Sequence, residues 1–185
     1  MIVIHSRRAA LESIQQRYPD AALFDVTSRG MQPWVRFSPF YPHGNIPVPF
    51  SPGYTSASVE GIWQGLKVFE RADVDPSRFS ITSMKGLKRS ARSYGAVLGH
   101  REGVNGARLL SYAEARRTIY LPAYHWVLTH CLQDLLAELE KRAAIQTLVL
   151  LDYETNCDLN DLARPLSHAG LIKRYLEKQW PEDDA

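Results

Sequence analysis

Cysteine is scarce in this chain: only Cys131 and Cys157 are present, without CxxC spacing. That argues against a disulfide framework or a thiolate zinc site, and a reducing cytoplasmic setting is expected. No stretch approaches the roughly 18 consecutive apolar residues of a membrane-spanning helix, so no membrane partner is expected. The first residues, MIVIHSRRAAL, put an apolar patch ahead of Arg7 and Arg8, the reverse of a signal peptide, and no export is expected. A formal net charge of +2 is too small to announce nucleic-acid binding by itself. There is no P-loop, GxGxxG, HExxH or GxSxG, which removes the common nucleotide and hydrolase signatures. The six histidines are scattered, and His125 and His130 sit five apart rather than four. Neither a metal nor a cofactor is expected.

What is present reads as one globular α+β domain, predominantly helical with a small β-sheet. Ile2 to Ile4 and Ala22 to Val26 are strand candidates, separated by a helix over LESIQQRYP that Pro19 ends. Residues 32–53 hold six of the eleven prolines, yet Trp34, Phe37, Phe40, Tyr41 and Phe50 argue for an ordered loop that packs down. Helices are expected over Met84 to Leu98, Leu121 to Arg142 and Asp161 to Lys178, with a loop at Gly99 to Gly106. Thr147 to Leu151 (TLVLL) is apolar throughout and should be a central strand. The PEDDA tail should fray. Residues 1–34 read as an N-terminal extension of a core at 35–178.

One segment raises a chemical question. As a helix of about 100° per residue, SVEGIWQGLKVF (58–69) puts Val59, Ile62, Leu66 and Phe69 on one face, with Trp63 at its edge. Glu60, Gln64 and Lys67 then gather within about 60° of arc on another face. That face meets either solvent or a ligand. A lysine in a partly apolar pocket loses pKa and becomes a nucleophile toward a masked aldehyde, whereas most helix-surface lysines are only solvated charges.

Two further groups stand out. The apolar strand ends in DYETNCD, which brings Asp152, Glu154, Asn156 and Asp158 to a sheet rim; there they either serve a ligand or cap the last helix and pair with Arg164. Carboxylates such as Asp158 and Glu60 suit cleavage of a glycosidic bond, which needs proton transfer and support for an oxocarbenium-like centre. Residues 76–101 contain no acid but hold Lys85, Lys88, Arg89, Arg92, His100 and Arg101. They form either a solvated face or a receiver for the phosphates of a nucleotide-like ligand or DNA.

FSPFYP (37–42), SVEGIWQGLKVF (58–69) and LVLLDYETNCDLNDL (148–162), in this order and spacing, resemble the NADAR (YbiA-like) family. Ser58, Glu60, Gln64 and Lys67 fall at the intervals of its S-x-E-h-x-x-Q-x-x-K-F helix. MKGLKRSARSYG is similar to its A-K-x-x-G-R segment, and Tyr112 and Arg116 keep the spacing of its W-x-x-x-R element. The likeness spans about residues 35–178; the chain retains Asp158 and Gly170 but lacks the family's Trp-Gly pair and Asn, as a divergent member would. The resemblance implies an N-glycosidase acting at ribose C1 of a phosphorylated ribosyl small molecule or of ADP-ribosylated nucleic acid. It implies catalytic roles for Glu60, Lys67 and Asp158, and substrate contacts from Ser38, Phe40, Tyr41, Trp63, Gln64, Lys85, Arg89, Arg116 and Asn156. A non-catalytic ADP-ribose or nucleotide sensor and a nucleic-acid-binding accessory protein are the alternative readings.

Overall fold

A computed structural model describes residues 1–181 of the chain; the last four residues of the tail expected to fray lie outside them. The elements in chain order are β1 (Ile2–Ser6), α1 (Leu11–Arg17), β2 (Ala22–Asp25), β3 (Ile46–Pro47), β4 (Thr55–Ser56), α2 (Val59–Gly65) and β5 (Lys67–Phe69). They continue with α3 (Ala91–Tyr94), β6 (Val97–Arg101), β7 (Leu109–Leu110), α4 (Tyr112–Ala115), α5 (Leu121–Cys131), α6 (Gln133–Ala143), β8 (Leu148–Asp152) and α7 (His168–Leu176). A π-helical turn, Arg116–Tyr120, joins α4 to α5. The result is an α+β fold with small sheets, and among the described residues no helix is long and apolar enough to cross a membrane.

The chain divides into two compact units, Met1–Ser38 with Leu132–Ala185, and Pro39–Cys131. In the first, β8 lies between β1 and β2 and runs parallel to both. All five β8 residues are buried, as expected for an unbroken apolar strand with a neighbour on each edge. Ile14 of α1 packs with Val149 and Leu151, and α6 buries Leu135, Leu136 and Leu139. Residues 1–34, expected as an extension, thus supply both flanking strands of this sheet.

In the second unit, β5, β6 and β7 form an antiparallel sheet, β3 and β4 a short hairpin, and α2 packs against the 3₁₀ turn Pro76–Ser80 and against α5.

Several expected boundaries move. The helix expected over Met84 to Leu98 shrinks to the four residues of α3, because Gly86 and Gly95 take positive φ (75° and 83°) and Val97 onward joins β6. The expected Leu121 to Arg142 helix breaks at Leu132 (φ −125°). Just before the break the Thr129 hydroxyl donates to the His125 carbonyl at 2.9 Å, an alternative to continued helical bonding. The last helix starts at His168 rather than Asp161. Asp161 instead accepts from the Ala163 N–H in a local turn, and Ser167 caps the helix by accepting from Gly170 N–H.

The start of α7 is held by a buried charged pair. His168 Nδ1 lies 3.0 Å from Asp152 Oδ2, and its Nε2 lies 2.8 Å from the Val26 carbonyl oxygen. With an acceptor at each nitrogen, the ring is satisfied only as the imidazolium. Burial opposes that charge, but the Asp152 carboxylate and the Val26 carbonyl outweigh it and the His168 pKa is raised above 6.5. Burial likewise opposes the Asp152 charge, but His168, the Ser167 hydroxyl and the Ala169 N–H hold its pKa below 3.8. A raised histidine pKa contributes stability that is complete below pH 6.5 and lost as pH climbs through the folded value. A depressed carboxylate pKa contributes stability lost as pH falls below 3.8. The melting temperature should therefore decline as pH rises above 6.5. Asp152→Asn should cost about 3–5 kcal/mol and flatten that decline. Thermal unfolding across pH checks both, and a flat wild-type profile would rule out the charged pair.

Candidate functional site

The segment that posed the chemical question forms half a helix and a strand. Ser58 caps α2, its hydroxyl accepting from Gly61 N–H at 3.0 Å, and the Glu60 N–H is satisfied by the Pro39 carbonyl at 2.9 Å. The helix ends at Gly65, where an added Cβ would lie 2.3 Å from the Phe79 ring, so only glycine permits this close packing. Lys67, expected on the helix face, instead opens β5 opposite His100 of β6. Val68 and Phe69 suit the strand better than the helix, and sheet pairing overrides the helical spacing. Val59, Ile62, Leu66 and Phe69 are all buried, as the apolar stripe predicts, and Trp63 is half-buried at its edge.

The polar face is also out of solvent. Glu60 is 8% exposed and Gln64 4%. Gln64 Nε2 donates to Glu60 Oε1 at 2.8 Å, while Gln64 Oε1 accepts from the Arg89 backbone N–H at 3.1 Å. Burial raises the Glu60 pKa above 4.5, against the Gln64 amide and the charges of Lys88 and Lys67. Burial lowers the Lys67 pKa below 10.5; the attraction of Glu60 opposes this, while Lys88 and Arg89 add to it. Both groups are biased toward their neutral forms, a carboxylic acid able to donate a proton and an amine able to attack carbon.

Aromatic rings pack beside this pair. The Lys67 ammonium sits 5.9 Å from the Trp63 ring centroid. His100 packs against Trp63 with centroids 3.8 Å apart, and Tyr112 and Tyr120 meet the indole edge-on, each at 5.8 Å. Buried Arg116 lies over Tyr112 at 4.8 Å and donates to its hydroxyl at 3.1 Å, so the paired spacing of Tyr112 and Arg116 is one turn of contact. Arg116 opens the π-helical turn, a form often found at functional sites.

The other expected site residues are distributed. Phe40 lies under the Lys88 ammonium at 5.5 Å, and Tyr41 packs on His43. Lys85 is exposed. Arg89, expected to receive phosphate, has its guanidinium engaged within the fold. Its guanidinium donates to the carbonyls of Gln64, Lys67 and Asp73 at 3.2, 2.7 and 2.8 Å, and it is held between Phe69 and Tyr94. Ser38, Asn156 and Asp158 belong to the first unit. There the Ser38 N–H closes the 3₁₀ turn on Val35, and Asn156 Nδ2 donates to the carbonyls of Asp161 and Arg164. Asp158 is exposed, its N–H donating to Asn156 Oδ1 and its Oδ1 accepting from Asn160 N–H. Arg164 pairs with Asp161, and of the rim acids Asp152 accepts from the Ala169 N–H at the start of α7.

The proline-aromatic loop holds its own open hollow of about 400 Å³, walled in part by Val48, Phe50 and Tyr54; neither Glu60 nor Lys67 lines it. Among the described residues no group of three or more His, Cys, Asp or Glu could hold a metal ion. His100, read in the sequence only as part of the basic run, and Tyr120, which sequence reasoning missed, are brought to Trp63 by strand pairing and by the π-helical turn.

Because three carbonyls depend on one guanidinium, Arg89→Ala should destabilise the protein by about 2–4 kcal/mol. Arg89→Lys should recover little, since a point charge cannot span the three acceptors. Lys85→Ala should stay within about 0.5 kcal/mol of wild type. Urea unfolding measures all three, and a silent Arg89→Ala would return that residue to the ligand-binding candidates.

Comparison with known proteins adds a family without an activity. No curated protein and no solved structure matches the chain. One family profile covers residues 6–172, nearly the whole sequence including Glu60, Gln64, Lys67, Arg89 and Arg116. The chain therefore belongs to the Family of unknown function (DUF6939).

Proposed function

We propose that the protein is an N-glycosidase that hydrolyses the bond between a base nitrogen and ribose C1 in a phosphorylated, nucleoside-like substrate. ADP-ribose linked to guanine or DNA and ribosylaminopyrimidine phosphates are the substrate classes. The observation that carries the reading is a buried carboxyl, Glu60, oriented by Gln64 and electrostatically coupled to the partly buried amine Lys67, each biased toward its neutral form. The resemblance to the NADAR family supports the same assignment.

In the proposed reaction the Lys67 amine attacks C1 as the C1–N bond breaks, and Glu60 delivers the proton that the departing base nitrogen needs. Ring opening gives a lysine–ribose imine; water then adds to it, regenerating the amine and releasing the free sugar. One water is consumed per bond cleaved. Lys88, exposed beside Phe40 and close enough to influence both Glu60 and Lys67, is the cation available to an anionic substrate. Arg89 holds the scaffold, and Asp158, on an exposed turn of the other unit, receives no role here.

The test is incubation with ADP-ribosylated guanosine, ADP-ribosylated DNA and ribosylaminopyrimidine phosphates, followed by detection of released base. Borohydride should trap a ribosyl adduct on Lys67. Lys67→Ala should abolish both turnover and trapping, and Glu60→Gln should lower turnover by about 10²- to 10⁴-fold without loss of fold. The profile of kcat/KM against pH should be bell-shaped, its limbs drawn inward from 4.5 and 10.5 by the opposite shifts of the two groups. Full turnover by Lys67→Ala would sink the imine route. Tight binding of ADP-ribose with no cleavage of any substrate would make the protein a sensor.

A further inference from the structure

His100 is 1% exposed, and neither of its ring nitrogens has a hydrogen-bond partner. The Trp63 carbonyl is nearby but outside hydrogen-bond geometry. Two unsatisfied nitrogens on one buried ring are costly, and a phenylalanine or leucine would fill the space beside Trp63 without that cost. Packing therefore does not account for a histidine at this position.

Its placement does suggest a reason. His100 stands directly opposite Lys67 in the antiparallel β5–β6 ladder, so the two side chains leave the same face of the sheet as cross-strand neighbours. Its ring packs against Trp63, whose centroid is 5.9 Å from the Lys67 ammonium. Burial and the Lys67 charge push its pKa down to about 3, so the ring is neutral and offers one N–H and one lone pair. An anionic phosphate would call for an imidazolium. A hydroxyl, which both gives and accepts a hydrogen bond, matches a neutral imidazole.

We infer that His100 is a specificity-determining residue of the Glu60–Lys67 site, its imidazole exchanging hydrogen bonds with hydroxyls of the ribosyl group. This rests on the glycosidase reading above. The nitrogens are shielded from water, so a ligand reaches them only when side chains packed around the ring shift. On binding, the ligand replaces the missing partners, and a ribose lacking a hydroxyl leaves a nitrogen unpaired.

The test uses calorimetric titration of wild type and His100→Phe with ADP-ribose and with analogues lacking the 2- or 3-hydroxyl of the terminal ribose. Wild type should lose affinity for a deoxy analogue. His100→Phe should keep or raise its melting temperature, bind ADP-ribose roughly three- to tenfold more weakly, and no longer distinguish the analogues. His100→Gln, which keeps a donor and an acceptor, should recover part of the discrimination. In the wild-type protein, ADP-ribose should also shift the ¹⁵N resonances of the His100 ring, a readout that needs no variant. Unshifted resonances, or discrimination that survives in His100→Phe, overturn the inference and assign the nitrogens to an internal water or to the fold. If the wild type cleaves or binds ribosyl compounds while His100→Phe behaves identically, only this inference falls. If the wild type binds no ribosyl probe, the glycosidase reading falls and this inference falls with it.

Discussion

The side chain of Gln64 is the constraint on which the buried polar cluster of the second unit depends. Its amide nitrogen holds Glu60, its amide oxygen receives the Arg89 N–H, and its own carbonyl takes a hydrogen bond from the Arg89 guanidinium. One residue therefore ties the first turn of α2, the segment before α3 and, through Arg89, the start of β5. A buried amide with both ends used is rigid, because losing either bond strands a polar group away from water. The carboxyl of Glu60 thereby gains a fixed orientation, and burial raises its pKa against the Gln64 amide and the charges of Lys88 and Lys67.

Electrostatic character follows from that arrangement. Had Arg89 turned its guanidinium toward Glu60, the carboxylate would be a permanently ionised half of a buried salt bridge. Its commitment to three backbone carbonyls leaves Glu60 and Lys67 as two desolvated groups of opposite acid–base type. The first unit shows the contrasting outcome. There Asp152 and His168 meet at 3.0 Å with further hydrogen bonds at both ends, and the pair remains charged and structural. Burial is common to both sites; the number of hydrogen-bond partners for the charged form separates a pair held charged from one whose pKa values are shifted toward the neutral forms.

Much of the local structure was legible in the residues. TLVLL announces a buried strand because an apolar run with no alternation has no solvent face, and β8 has strands on both edges. The Val59, Ile62 and Leu66 stripe announces the core face of α2, and Ser58 its cap. Boundaries that hinge on competition between local and distant bonding were not legible. Lys67 continues the helical spacing in sequence, yet Gly65 weakens the helix and pairing with β6 captures the next three residues. The same competition turned most of the expected 84–98 helix into irregular chain and strand.

The sequence by itself determined the α+β class, the apolar faces and the candidates Glu60, Gln64, Lys67 and Trp63, because periodicity and residue chemistry are local properties. Only the tertiary structure decided what surrounds each candidate. It assigned Arg89 to backbone carbonyls, gave Glu60 and Lys67 their shifted acidities, and brought His100 against Trp63. Burial and hydrogen-bond partners come from residues distant in the chain, and those two quantities set whether a polar side chain is a solvated charge, a strut or a reactive group.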